Sequence, residues 1–267
     1  MSSKHASSIK YAHVALTSAR ERLHERAALL GRLGFLAIVL LIFAELWKTI
    51  AQGNSLGGRR QTDFVWYLAV TEWIMLSLPP LHLEVEAHVR TGRVATLLPQ
   101  PISYVGFVFA KGFGELAVRL ATLGPAAFLL AWLLTGSGPP SGMALLGALP
   151  FGLVAASLLL TSYVVLGLSA FWLEDATPAY MVWQKLAFVF GGMFVPLDVY
   201  PTWLRDIATF TPFPSLLYGP AQLAVGAGDA SDWASLALRL FLWGSVSVAV
   251  LAFVHRRALR ALEVGGG

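Results

Sequence analysis

Residues 193–226 read MFVPLDVYPTWLRDIATFTPFPSLLYGPAQLAVG, an apolar stretch interrupted by five prolines. Proline lacks a backbone donor and breaks a helix interior, so this stretch cannot cross a membrane as one helix. Yet it follows an apolar run of membrane length. Irregular backbone at membrane depth is tolerated only where protein covers its polar groups, which predicts an outer re-entrant hairpin folded against neighbouring helices.

The rest of the chain supplies those helices. Hydrophobic residues make up 57% of the sequence, charged residues only 13%, and the mean hydropathy is +0.67, outside the range of soluble domains. Apolar runs at 33–50, 64–83, 112–134, 143–172, 179–197 and 236–254 predict an all-α polytopic membrane protein with six transmembrane helices. With 267 residues there is no room for a soluble enzymatic domain, so 1–267 reads as a single transmembrane domain. The first run lies too far from Met1 for a secretory signal and is expected to remain in the mature protein. The absence of cysteine excludes disulfides and thiolate metal sites.

Lys4, Lys10, Arg20, Arg22, Arg26 and Arg32 precede the first run, and Arg256, Arg257 and Arg260 follow the last. The positive-inside rule then places both termini in the cytoplasm, which requires an even number of spans and keeps the proline-rich stretch from being a seventh. Arg59 and Arg60, in the first outer loop, are exceptions to that rule.

Two polar segments lie on the cytoplasmic side. In 4–31, Ile9, Ala12, Leu16, Ala19, Leu23, Ala27 and Leu30 recur every three or four residues, which predicts an amphipathic helix lying along the inner membrane surface, as a simple anchor or as a docking element. In 81–90, apolar and polar residues alternate as in a strand. No other segment could pair with a strand there, so a helix continuing out of the second span is expected, turned at Thr91-Gly92 and ended by Pro99 and Pro101. His82, Glu84, Glu86 and His88 on such a helix form either a solvated polar protrusion or, much less commonly, a metal site.

Charges inside the spans are costly and therefore functional candidates. Glu45 with Lys48 and Glu115 with Arg119 have helix-pair spacing, so either pair serves a pathway or interface or else neutralises itself locally. Glu72 has no basic residue three or four positions away and is the foremost single candidate for a lumen-facing or subunit-interface carboxylate. There is no phosphate-binding loop, zinc helix, nucleophile elbow or calcium loop. The nine Trp and sixteen Phe fit interfacial belts and lipid-facing packing.

Two blocks, VEAHVRTGRVATLLPQPIS at 85–103 and GGMFVPLDVYPTWLRDIATFTPFPSLLYGPAQLAVG at 191–226, resemble the permease subunits of ABC-2 type exporters, in particular the small six-span bacterial branch. The resemblance covers essentially the whole chain. It implies a permease of the bacterial inner membrane that pairs with a second permease, the same or homologous, and works with two copies of an ABC ATP-binding subunit. ATP and magnesium would then sit on that partner, with no cofactor on this chain; membrane lipids are further expected partners, and nucleic acid is not. By the same resemblance, 4–31 is an interface helix and 84–98 the coupling segment received by the ATPase, with Glu84, Glu86, His88, Arg90, Gly92 and Arg93 as contacts. Glu174 and Asp175 would add a second contact, and Pro196, Pro201, Pro212, Phe213 and Pro220 would shape an outer re-entrant gate. The function implied is ATP-driven export of an amphiphilic or hydrophobic compound. Two other classes stay open: a membrane enzyme of lipid or polyprenyl metabolism using Glu72, Glu115 and 82–88, and an ion-coupled secondary transporter using Glu45, Glu72 or Glu115.

Overall fold

The computed structural model describes residues 2–50, 59–97, 103–173, 175–226 and 228–265. Its regular elements are helices: α1 (Ser2–His24), α2 (Arg26–Ile50), α3 (Gln61–Leu76), α4 (Leu81–Arg90), α5 (Arg93–Leu97), α6 (Tyr104–Thr135), α7 (Gly142–Leu168), α8 (Thr177–Phe190), α9 (Thr202–Thr209), α10 (Phe213–Leu216), α11 (Tyr218–Ala224) and α12 (Ala230–Gly265).

Among the described residues, five segments are long and apolar enough to cross a membrane: Arg26–Ile50, Gln61–Arg90, Tyr104–Thr135, Gly142–Phe171 and Ala230–Arg260. The run expected at 179–197 forms only the 14-residue α8, ~21 Å long against a hydrocarbon core of ~30 Å. Gly191 ends that helix and Gly192, at φ +62°, turns the chain where a side chain would be strained.

Helix α3 is the axis of the bundle, with every residue from Phe64 to Met75 buried. It packs on α2, α6, α7 and α11. Small residues let these helices close in. Trp73 fits between Gly124 of α6 and Gly152 of α7, where an added Cβ would come within 2.9 Å and 2.6 Å of its ring, and its Nε1–H donates to the Leu120 carbonyl at 3.0 Å. By contrast, α12 lies at the periphery with its apolar face outward, including Phe241, Leu242 and Phe253.

Three local expectations change in detail. The amphipathic helix ends at His24, because the chain breaks at Glu25, whose carboxylate is held by Arg22. Ala27 and Leu30 therefore belong to the helix of the first span. The second span does not run straight into the cytoplasmic helix: α3 stops at Leu76, and Pro79 and Pro80 separate it from α4. Residues 81–90 are helical despite their alternating pattern, and Gly92, at φ +69°, makes the turn into α5. Pro99 and Pro101 lie outside the described residues.

The proline-rich region divides in two. Pro196, Pro201 and Pro212 each stand immediately before a short helical piece: the 3-10 turn Leu197–Val199, α9 and α10. A fixed φ and a missing donor suit a helix start, which explains how five prolines accommodate so much helix. The α9 half is amphipathic and exposes Trp203, Ile207 and Phe210. The α10–α11 half, including Phe213 and Pro220, is buried against α3 and α7. It is a short helical insertion packed among the longer helices.

Candidate functional site

The N-terminal helix is a packed element as well as an amphipathic one. Tyr11, Ala15, Ser18 and Arg22 form a seam against α6: the Tyr11 hydroxyl lies 3.2 Å from Ser103 Oγ, and Arg22 Nη2 donates to Glu115 Oε2 at 2.6 Å. Gly114 makes this approach feasible, since a Cβ there would stand 2.1 Å from the Ala15 carbonyl oxygen. The apolar stripe points elsewhere, with Ile9, Leu16 and Leu23 all exposed. The hydrophobic periodicity finds the exposed stripe and misses the contact seam; the signal for the seam is the pair of glycines on α6 that face α1, Gly106 against Tyr11 and Gly114 against Ala15.

That seam leads to a buried charge cluster. Arg119, 2% exposed, donates to the Leu78 carbonyl at 2.7 Å and to Glu115 Oε2 at 3.2 Å. Arg32 of α2 donates to the Leu76 carbonyl. Arginines from α2 and α6 thus cap the carbonyl end of α3 just before its proline break, where the helix dipole favours cations. Glu115 and Arg119 do pair one turn apart, and Arg22 ties them to α1 as well.

The other end of α3 holds the proline-rich region. The Tyr67 hydroxyl donates to the Gly192 carbonyl at 2.6 Å and Thr71 Oγ1 to the Met193 carbonyl at 2.8 Å. Just before α3, Arg59 donates to Asp198 at 2.7 Å and to Gln222 at 2.6 Å, which accounts for an arginine in the expected outer loop. Replacing Tyr67 by Phe and Thr71 by Val together should weaken this attachment by about 1–2 kcal/mol and speed amide exchange across 191–199 by about tenfold. Exchange at the wild-type rate would show that these bonds do not hold the segment.

Beyond the proline break, α4 is fastened by one side. Glu84 meets Lys111 of α6 at 2.6 Å, and the His88 ring lies 3.2 Å from the Tyr104 hydroxyl. His82 stacks on Tyr180 of α8 at 3.5 Å between ring centroids and meets Tyr163 of α7 edge-on at 5.3 Å. Glu86 and His88 are therefore buried within the chain, with Glu86 paired to Arg90 at 3.3 Å. Leu83, Ala87, Arg90, Thr91, Gly92 and Arg93 form the exposed side and tip. Asp175 is exposed nearby, and hydrogen bonds from Thr177, with Arg90 adding attraction, hold its carboxyl below the usual carboxylate range. Glu174 lies outside the described residues.

The remaining charges separate clearly. Glu45 and Lys48 pair at 3.4 Å on the exposed end of α2. Glu72 is 1% exposed, and neither carboxylate oxygen has a hydrogen-bond partner among the described residues. It sits inside this chain's own bundle, on no outer face. Among the described residues no three His, Asp or Glu side chains gather as a metal site would require.

The model of the ABC-2 family transporter protein matches residues 34–266. No curated protein matches the chain.

Proposed function

The chain belongs to the ABC-2 transporter family, and from that premise we propose that it is the permease of an ATP-driven exporter that moves an amphiphilic or hydrophobic compound outward. Family membership makes it a multi-pass membrane transport subunit associated with an ABC ATP-binding subunit. In this reading two permeases, identical or homologous, sit in the bacterial inner membrane with both termini cytoplasmic. Two ATP-binding subunits supply hydrolysis, and α8 with the turn after it makes the sixth crossing.

The observation that carries the coupling mechanism is the position of α3. One buried helix holds the outer proline-rich segment through Tyr67 and Thr71, and its other end leads through the break at Pro79 and Pro80 into α4, whose tip is exposed. Force applied to α4 at the cytoplasmic end thus has a rigid, packed route to the outer segment. ATP binds the closed form of the partner dimer more tightly than the open form, and that difference biases the permeases between occluded and outward-open states.

The surface offered to the partner is the exposed side of α4, Leu83, Ala87, Arg90 and Thr91, continued by Gly92, Arg93 and Asp175. Glu84, through Lys111, and His88, beside Tyr104, hold the helix in place from behind, while Glu86 is turned inward and pairs only with Arg90 of the same helix. Reversing Arg90 and Arg93 to glutamate should weaken partner binding by about tenfold or more and lower substrate-stimulated ATPase in the reconstituted complex. Unchanged stimulation and export would remove α4 from the coupling surface. The reading as a whole is tested by purifying the chain from its native membrane: a stoichiometric subunit carrying GxxxxGK[ST] is expected, and a chain that purifies alone, without ATPase activity, contradicts it.

A further inference from the structure

We infer that a cavity of about 210 Å³ between α7, α8 and α12 holds the hydrocarbon chain of an amphiphile whose carbonyl or hydroxyl oxygen accepts a hydrogen bond from the Ser247 hydroxyl. The walls are apolar, formed by Leu158, Val165, Trp183 and Val250, and Pro212 and Leu216 of the proline-rich region close one end. A dry cavity of about 150 Å³ already accepts a benzene-sized molecule, so this one takes a longer apolar group. Its flanking helices turn Met181, Val182, Leu242 and Val246 outward. The mouth therefore faces bilayer hydrocarbon, and an occupant enters sideways from the lipid.

The hydroxyls specify more than a greasy slot. Hydroxyls in membrane-spanning helices commonly donate to a carbonyl one turn back, and Ser157, Thr161, Ser162 and Ser245 do so here. Ser247 also lines the cavity but donates to no group among the described residues. Its proton is left for an acceptor on the occupant, and the Ser162 oxygen still offers lone pairs to a donor. A hydrocarbon chain with one amide or hydroxyl group satisfies both, and an ester satisfies Ser247 alone. Such a molecule is either a resident membrane lipid or the transported amphiphile, and the second source rests on the function proposed above.

The test uses the full chain with its co-purified partner, in phosphatidylethanolamine and phosphatidylglycerol vesicles doped with a phosphatidylglycerol carrying a diazirine in one acyl chain. Photolabelling of 158–166 and 243–250 should exceed that of the lipid-facing 38–42 of α2 by about tenfold. Ser247→Phe, on the peripheral α12, should abolish the excess on 158–166 and leave 38–42 unchanged; Ser162→Phe is a second filler in case the first fails to fold. Uniform labelling, or an excess that survives both fillers, overturns the site. So does rapid disulfide formation between two copies of Ser247→Cys with no lipid label, since a second copy would then cover the mouth. With the site upheld, loss of the excess during ATP turnover identifies the transported amphiphile, and its persistence identifies a resident lipid. Absence of an ATP-binding subunit would defeat the proposed function while leaving the labelling readable on the chain alone.

Discussion

Replacing Arg119 by methionine should cost about 3–5 kcal/mol of stability, enough to remove most folded protein from the membrane. The guanidinium is 2% exposed and donates to Leu78 and Glu115 at once. Its loss leaves the carbonyl end of α3 with Arg32 alone and strips Glu115 of one of its two cationic partners. A buried carboxylate left under-paired is penalised far more than the intact pair is rewarded. Arg119→Lys keeps the charge but lacks the planar fork, so a smaller cost of about 1–2 kcal/mol is expected. Thermal unfolding in detergent, with Glu115→Leu added to complete a double-mutant cycle, checks this. Additive costs would mean that the two residues are not coupled, whereas contact in one network predicts about 1–3 kcal/mol of coupling.

Gly114→Leu should detach the N-terminal helix from α6. A Cβ at Gly114 would stand 2.1 Å from the Ala15 carbonyl oxygen, and backbone cannot yield as a flexible side chain can. The helix must move as a unit, and the Arg22 bond to Glu115 goes with it. Overpacking plus a broken part-buried ion pair amounts to about 3 kcal/mol or more. Trypsin digestion should show faster cleavage after Arg20 and Arg22, with the membrane-embedded remainder intact. Cleavage at the wild-type rate would mean that α1 does not depend on this close approach. A second effect follows: stimulated ATPase should fall, because Lys111, which anchors Glu84 of α4, lies on the same stretch of α6 as Gly114.

Both variants probe contacts that the sequence shows only in fragments. Spacing along one helix identifies the Glu115 and Arg119 pair, because residues four apart share a helix face. It cannot identify Arg22, 93 positions from Glu115, or the carbonyls of Leu76 and Leu78 that two arginines cap. Hydrophobic periodicity likewise locates the apolar stripe of α1, but the seam beside it is made of Tyr11, Ala15, Ser18 and Arg22, and residues so mixed in polarity carry no periodic signal. On α4 the sequence supplies the charged positions without saying which face turns inward; packing on α6, α7 and α8 buries Glu86 and His88 and leaves Arg90 and Arg93 outside.

Residue order alone is enough to identify the solvent, the class and the family. Backbone polar groups in hydrocarbon must be satisfied locally, so long apolar runs become helices and a proline-rich apolar run must fold against them. Only the packed chain shows how far α8 extends, which side of α1 and α4 faces inward, that Arg59 is held by Asp198 and Gln222, and that Glu72 is enclosed with no hydrogen-bond partner among the described residues. Those outcomes depend on side chains brought together from distant parts of the chain, where close packing and the cost of burying unpaired charge act between helices.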